Sequence, residues 1–575
     1  MRPFRFSPAL PQVSRFDIAD AFVLLVLLCL LYLGVRISIH APAVIAGPNV
    51  SLSVTALPWY VLLSVGRMFV AYLLSLAFTL SYGYAAARNR SAEKILMPLL
   101  DVLQSVPILS FLPVVLLSLS AVLPVRPAAE LAAIILIFTS QAWNMTYSFY
   151  QSVSTIPHEL REAAAIFRLS PWLRFRKMEL PFSAIGLVWN SMMSWAGGWF
   201  FLMASEIFAV GSRDFRLPGI GAYLQTAASA GDIHSVVAGV AALVLTIIVL
   251  DQFLWRPILA WADKFKIEMV AGERAPQSMV RDILSRSWLL ERFATRVADP
   301  CLEWFDSRLA GKRNAKSAIR LHPATALWPG RTLWILGILA GAIGFFGIYR
   351  AGLMLRVLDS RDWIAIGTGT LATFLRVAAA LIIAFAWTVP LGVAIGTNRK
   401  LAEILQPAIQ VTASVPATAL FPVILLALVR MPGGLNIAAV VLMLMGTQWY
   451  LLFNVIAGTA AIPQDLRDTT ALLRLSSRDR WRNLILPSLF PYLVTGAITA
   501  GGGAWNASIV AEHVQFGGRT FSTPGIGSLI AGATGRGNYP LLLASTLALI
   551  ITVVTINRLF WRRLYRIAEE RYRME

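Results

Sequence analysis

Two stretches of this chain leave few folds open to it. Phe22 to Leu33 reads FVLLVLLCLLYL and Val237 to Leu250 reads VAGVAALVLTIIVL. Each lies in about twenty residues with almost no charge, the length that crosses a hydrocarbon core of about 30 Å. The alternative is a very large water-soluble core. Composition opposes it: 57% of the 575 residues are hydrophobic and 14% charged, against about 25% charged in soluble domains.

Similar stretches recur along the chain. The pattern predicts an all-α polytopic membrane protein with about twelve transmembrane helices. They fall near 19–37, 58–84, 97–123, 129–150, 184–207 and 232–254, then 331–350, 367–393, 407–430, 434–457, 489–510 and 539–560. Pro107 and Pro416 are expected as kinks inside the third span of each half, where an interrupted hydrogen-bond ladder gives a bending point. The formal charge of +20 would prompt a nucleic-acid partner in a soluble chain. Here a loop bias explains it, and no nucleic acid is expected. Arg2, Arg5 and Arg15 precede the first span, Arg88, Arg90 and Lys94 follow the second, and Arg161, Arg174, Arg176 and Lys177 follow the fourth. With both termini cytoplasmic these loops share one side, and the opposite loops at 38–57 and 209–231 carry few basic residues. The first apolar segment has no clean cleavage pattern and reads as a retained anchor. Cys29 and Cys301, with five scattered histidines, give neither a disulfide framework nor a metal site.

The chain also repeats itself. NRSAEKILMP at 89–98 returns as NRKLAEILQP at 398–407, Ser105-Val106-Pro107 as Ser414-Val415-Pro416, and Arg67 as Arg376, all 309 residues later. The offset then becomes 306: Leu160-Arg161 matches Leu466-Arg467, Leu180-Pro181 matches Leu486-Pro487, Trp199 matches Trp505, Glu206 matches Glu512, and Pro218-Gly219-Ile220-Gly221 matches Pro524-Gly525-Ile526-Gly527. An even number of spans separates the copies, so they run parallel in the membrane. A pseudo-twofold axis along its normal is expected, with a path at the interface between copies. The organisation predicted is a tail, leading helix and outer loop at 1–57, a module at 58–260, a basic cytoplasmic linker at 261–328, a second leading helix and loop at 329–366, a second module at 367–565, and a cytoplasmic tail at 566–575.

Each module carries a long basic loop between its fourth and fifth spans, IPHELREAAAIFRLSPWLRFRKMELP at 156–181 and IPQDLRDTTALLRLSSRDRWRNLILP at 462–487. The pattern predicts a short amphipathic helix, a turn and a second helix, with Pro157 and Glu159 suited to the first turn. This duplicated loop resembles the cytoplasmic EAA loop of binding-protein-dependent ABC importer permeases: Glu-Ala-Ala, three residues, Gly, nine residues, a hydrophobic residue, one residue, Leu-Pro. Glu162-Ala163-Ala164 and Leu180-Pro181 match, the second copy has Asp468-Thr469-Thr470 before Leu486-Pro487, and Arg168 and Arg474 replace the usual glycine.

The resemblance, over roughly 58–260 and 367–565, implies the type I ABC importer transmembrane fold duplicated in parallel, in a bacterial cytoplasmic membrane. It implies that the chain is not itself an enzyme. The loop helices would couple to two cytoplasmic ABC ATPase subunits or domains, which use ATP and Mg2+, through Glu159, Arg161, Glu162, Ala163, Ala164, Arg168, Leu180 and Pro181, and through Asp465, Arg467, Asp468, Arg474, Leu486 and Pro487. The chain holds no GxxxxGK[ST] phosphate loop. No cofactor is expected on it, and the family normally adds an extracytoplasmic substrate-binding protein.

The fifth spans, SWAGGWFFLMASE at 194–206 and GGGAWNASIVAE at 501–512, look like the nitrate, sulfonate and taurine branch, with Trp, then Ala-Glu, then Gly-Leu-Gly. That branch implies a small anion. Candidate residues for the path or its gate are Arg67, Ser105, Pro107, Trp199, Glu206, Arg376, Ser414, Pro416, Trp505, Asn506 and Glu512. A carboxylate in a membrane span must face the bundle, a polar cavity or the rim. Pairing of Arg67 and Arg376 with Glu206 and Glu512 is as good a reading as anion contact. The alternatives are import of another polar solute, such as a phosphonate, a pyrimidine or a metal complex, and an ATP-independent secondary transporter.

Overall fold

The computed structural model describes residues 18–42, 44–210, 212–265, 345–428, 431–460, 464–516 and 519–571, with a few isolated positions. The tail at 1–17, most of the linker at 261–328 with Cys301 and His322, and most of the span expected at 331–350 lie outside that set. So do the side chains of Ser105, Ser414 and Asp465.

In the first copy the long helices are α1 (Ile18–Ser38), α2 (Leu57–Arg88), α3 (Arg90–Ser105), α4 (Ile108–Ser120) and α5 (Val125–Ser154). The loop helix α6 (His158–Ile166) and the turn α7 (Pro171–Arg174) lead to α8 (Leu180–Glu206), the hairpin β1 (Ala209–Val210) and β2 (Arg213–Asp214), α9 (Ile220–Ala230), α10 (Ile233–Leu250) and α11 (Arg256–Ala262). After α12 (Phe345–Leu355), the second copy repeats the order: α13 (Ser360–Thr397), α14 (Arg399–Ser414), α15 (Ala417–Leu428), α16 (Gly434–Ala460), α17 (Gln464–Leu472), α18 (Ser477–Arg480), α19 (Leu486–Glu512), β3 (His513–Phe516), β4 (Arg519–Ser522), α20 (Ile526–Arg536), α21 (Tyr539–Ile556) and α22 (Arg562–Arg571). Both hairpins are antiparallel.

Seven of the described helices are long and apolar enough to cross a membrane by length and composition. The expectation of one continuous third span per copy is corrected. At 97–123 and 407–430 the chain breaks into α3 with α4 and α14 with α15. The 16 residues of α3 and 13 of α4 reach about 24 and 20 Å, short of the hydrocarbon core. Pro107 and Pro416 therefore do not kink a helix. Val106 and Pro107 are extended, and Pro107 immediately precedes the first turn of α4, where its missing N–H costs nothing. Pro416 holds the same place before α15.

The repeat extends to irregularities in the backbone. A one-turn π-bulge at Phe175–Glu179 recurs at Trp481–Ile485, and one at Asp251–Trp255 recurs at Asn557–Trp561. At the first pair the next residues are Leu180-Pro181 and Leu486-Pro487. A proline lacks the N–H for the regular ladder, and the wider turn redirects the N–H of Leu180 to the carbonyl of Phe175.

Each module wraps α2, α5 and α8, or α13, α16 and α19, around one another, and the broken element crosses to the other copy. α4 packs on α19 and α20, while α15 packs on α8 and α9. The largest apolar cluster accordingly spans both copies, joining Leu112 and Leu117 of α4 to Ala504 and Trp505 of α19. The break is satisfied there as well: the Leu109 N–H donates to Asn506 Oδ1 at 3.1 Å. The related contact is looser, with Thr418 Oγ1 donating to the Phe200 carbonyl at 3.5 Å. Replacing Asn506 with leucine strands the buried Leu109 N–H, which costs about 1–3 kcal/mol. The Asn506→Leu variant should unfold at lower temperature in detergent, and an unchanged midpoint would remove this bond from the account.

Candidate functional site

α8 and α19 each end in a carboxylate sealed from solvent. Glu206 and Glu512 are both fully buried. Glu206 Oε1 accepts from Ser64 Oγ at 2.6 Å and from Arg67 Nη1 at 2.8 Å, and Oε2 accepts from the Gly221 N–H at 2.7 Å. Glu512 repeats the set with Thr373 Oγ1 at 2.7 Å, Arg376 Nη1 at 2.7 Å and the Gly527 N–H at 2.9 Å. The hydroxyls also accept from the Ile220 and Ile526 N–H groups. Each carboxylate therefore sits at the positive end of α9 or α20, where free N–H groups and the helix dipole favour an anion. Pro-Gly-Ile-Gly at 218–221 and 524–527 provides the room: a Cβ on Gly219 would collide with the Glu206 carboxylate, and one on Gly525 with that of Glu512.

The arginines are occupied on their other sides too. Arg67 grips Glu130 in a two-pronged bond, Nε to Oε2 at 2.6 Å and Nη2 to Oε1 at 2.7 Å, and donates to the Pro218 carbonyl. Arg376 reaches Asn436 Oδ1, Thr523 Oγ1 and the Pro524 carbonyl instead. The copies thus differ by one charge, Glu130 against Asn436. Beside the second cradle, burial and then nearby Arg536 hold the His513 imidazole below its usual range, which favours the neutral ring.

A small cavity of about 30 Å³ lies where the copies meet. It is lined by Gly197, Phe200 and Phe201 of α8, Gly446 and Tyr450 of α16, and Gly503 and Asn506 of α19. Gly197 and Gly503 are repeat mates, 306 residues apart, so the cavity lies beside the pseudo-twofold axis. Its polar wall comes from the second copy, because Phe200 stands where that copy has Asn506. Of the residues expected along a path, Asn506 borders this cavity. Arg67, Arg376, Glu206 and Glu512 are drawn together in the cradles instead. Trp199 and Trp505 are buried in apolar clusters, and Pro107 and Pro416 are buried at the breaks.

The duplicated loops form the third candidate site. α6 ends in a left-handed turn at Arg168, φ 48°, and Arg474 repeats it at φ 48°. The glycine conformation is kept without the glycine, and the Leu169 N–H returns to the Ala164 carbonyl at 3.0 Å. Arg161, though exposed, folds back on its own module. It donates to the Ser154 carbonyl at the end of α5 at 2.8 Å, and Arg467 clamps the Thr459 carbonyl of α16 in the same way. Glu162 is exposed and pairs with His158 at 3.2 Å. Glu159, Asp468 and Arg474 are exposed, Ala163 is half-buried, and Ala164 is buried. Leu180-Pro181 and Leu486-Pro487 start the helices that re-enter the bundle. The tips expose large apolar pairs: Ile166 at 77% and Phe167 at 76%, Leu472 at 83% and Leu473 at 66%.

Sequence reasoning missed Ser64 and Thr373, Glu130 and Asn436, and Tyr450. Ser64 and Thr373 lie one helical turn before the paired arginines at the same 309-residue offset, and that offset could have found them. Glu130 and Asn436 differ in type, which hid them.

Two outcomes follow for these sites. Arg67→Ala strands the buried Glu206 and Arg376→Ala the buried Glu512, and each should cost about 3–5 kcal/mol. Thermal unfolding of the two variants measures it, and unchanged midpoints would contradict the cradle energetics. A left-handed residue other than glycine costs about 1–2 kcal/mol, so Arg168→Gly should fold at least as stably as the parent. Arg168→Pro, which cannot adopt positive φ, should destabilise the loop, read as faster proteolysis between 156 and 181.

Two stretches of the chain, residues 76–254 and 388–574, match the family described as binding-protein-dependent transport system inner membrane component. Among similar proteins, Nitrate import permease protein NrtB of Synechococcus elongatus is 30% identical over 150 residues, covering 26% of this chain and 52% of that protein. Bicarbonate transport system permease protein CmpB of the same organism is 32% identical over 148 residues, with coverages of 26% and 52%. Putative ABC transporter permease protein MJ0413 of Methanocaldococcus jannaschii is 24% identical over 198 residues, 34% of this chain and 71% of that one. The aligned region spans about half the length of the nitrate and bicarbonate relatives. With both family matches falling on the repeated helical modules, the chain belongs to the binding-protein-dependent transport system inner membrane components, as a double permease of ABC transporter type.

Proposed function

We propose that this chain is the complete membrane path of an ATP-driven importer for a small anion, with nitrate and bicarbonate the first candidates. The observation that carries the reading is the pair of loop helices, alike in backbone down to a left-handed arginine, each clamped to its own bundle and each exposing an apolar tip. Exposed apolar pairs on a rigid polar helix fit a groove in a partner. Two such helices fit two ATPase subunits, which bind the ATP and Mg2+. The basic loops support a cytoplasmic side for these helices and both termini, and a substrate-binding protein would deliver the anion to the opposite face. The modules at 58–260 and 367–565, joined by a cytoplasmic linker at 261–328, then move as two halves.

The path follows the pseudo-twofold axis. At about 30 Å³ the interface cavity has room for about one water, as in a closed path. Opening it would present Tyr450 and Asn506, uncharged hydrogen-bonding groups that hold an anion without trapping it. The names of the relatives support nitrate or bicarbonate, and a cavity without a carboxylate in its wall suits either.

The test is uptake into proteoliposomes holding this chain, its ATPase subunits and a binding protein. Nitrate or bicarbonate should stimulate ATP hydrolysis, and taurine or cations should not. Phe167→Asp or Leu473→Asp should lower coupled uptake at least about tenfold, the equivalent of about 1.4 kcal/mol at the docking site, with the membrane protein still folded. Uptake that persists without ATP, or a response to cations alone, would overturn the reading.

A further inference from the structure

An open cavity of about 380 Å³ lies on the face opposite the loop helices. Its walls come from three places: Tyr32 and Arg36 near the end of α1, Arg350, Leu353 and Met354 of α12, and Tyr539 at the start of α21. The level is fixed by connectivity. α21 follows Glu512 and the β3–β4 hairpin, at the far end of α19 from the loop at 462–487. Tyr539 Oη donates to the Ser38 carbonyl at 2.8 Å, which puts the end of α1 at the same height. α12 lies hard against α1, because a Cβ on Gly347 would collide with Cys29. The leading helices of the two copies thus meet here and the last long helix of the second copy closes the third side.

Arg36 and Arg350 are both exposed. Among the described residues neither has a hydrogen-bond or carboxylate partner, and Arg350 lies 5.4 Å from the centre of the Phe346 ring. No acidic side chain lines the cavity. Two guanidinium groups around one cavity at the ends of membrane helices call for an anion, and arginine binds phosphate oxygens in two-pronged fashion. Leu353 and Met354 add an apolar wall that a soluble oxyanion has no use for. Tyr32 and Tyr539 are the amphipathic rings that settle at headgroup level.

We propose that this cavity binds an anionic phospholipid, its phosphate between Arg36 and Arg350 and an acyl chain along Leu353 and Met354. The lipid joins the two leading helices to α21 and is separate from the transport path. This site does not depend on the substrate proposed above.

The experiment uses the full chain, delipidated in detergent, with phosphatidylglycerol, phosphatidylcholine or inorganic phosphate added in parallel. Phosphatidylglycerol should remain as an adduct in native mass spectrometry and raise the unfolding temperature. Arg36→Gln and Arg350→Gln should each weaken its binding about tenfold, one charge-assisted contact of about 1.4 kcal/mol. A photoactivatable phosphatidylglycerol on the parent chain should label peptides containing 32–39 and 350–354, which keeps the test independent of how the variants fold. Equal effects from inorganic phosphate, equal binding of phosphatidylcholine, or labelling elsewhere would each overturn the proposal.

Discussion

A carboxylate removed from water must be paired and hydrogen-bonded, because an unpaired charge in a low-dielectric interior costs several kcal/mol. Glu206 and Glu512 impose that condition at the far end of each module, and much of the local architecture answers it. A hydroxyl and a guanidinium one turn apart on α2 or α13 supply two donors. The first turn of α9 or α20 supplies a third, and its approach is open only because the residue beside the carboxylate lacks a Cβ. Three helices and the loop between them are thereby held in one geometry. The Trp-to-Glu spacing followed by Gly-Ile-Gly has a mechanical meaning: acid, then cradle.

A second condition comes from the membrane. Backbone that leaves the helix at membrane depth must be buried in protein or face a water-filled space. The breaks at Val106-Pro107 and Val415-Pro416 meet it by crossing to the other copy, so the interruption in one module becomes part of the joint between modules. The irregular segments thus lie beside the axis, where a path between copies would run, near the interface cavity that α8, α16 and α19 line.

The architecture was legible in the sequence where it depends on period and repetition. Offsets of 309 and 306 residues predicted parallel modules, and hydropathy predicted most of the long helices. The loop helices followed from spacing and a proline. The breaks were not legible, because apolar character runs straight through Pro107 and a proline also fits a kinked membrane helix. The Leu109–Asn506 bond joins residues 397 apart and leaves no periodic trace. The Arg–Glu pairs could be weighed from composition at membrane depth, but Glu130 could not, since its mate is Asn436 and a search for repeated pairs passes over it. Hydropathy also understates α8, whose serines face the bundle together with Trp195 and Trp199, while Trp189 is exposed.

Two permease subunits encoded by one gene must accept every mutation twice, once on each side of the axis. A fused chain accepts it once. Phe200 opposite Asn506 and Glu130 opposite Asn436 are differences that an identical pair of subunits could never display. Within one chain the two sides of the axis need not match, so one wall of the interface between copies can change while its twin stays as it is.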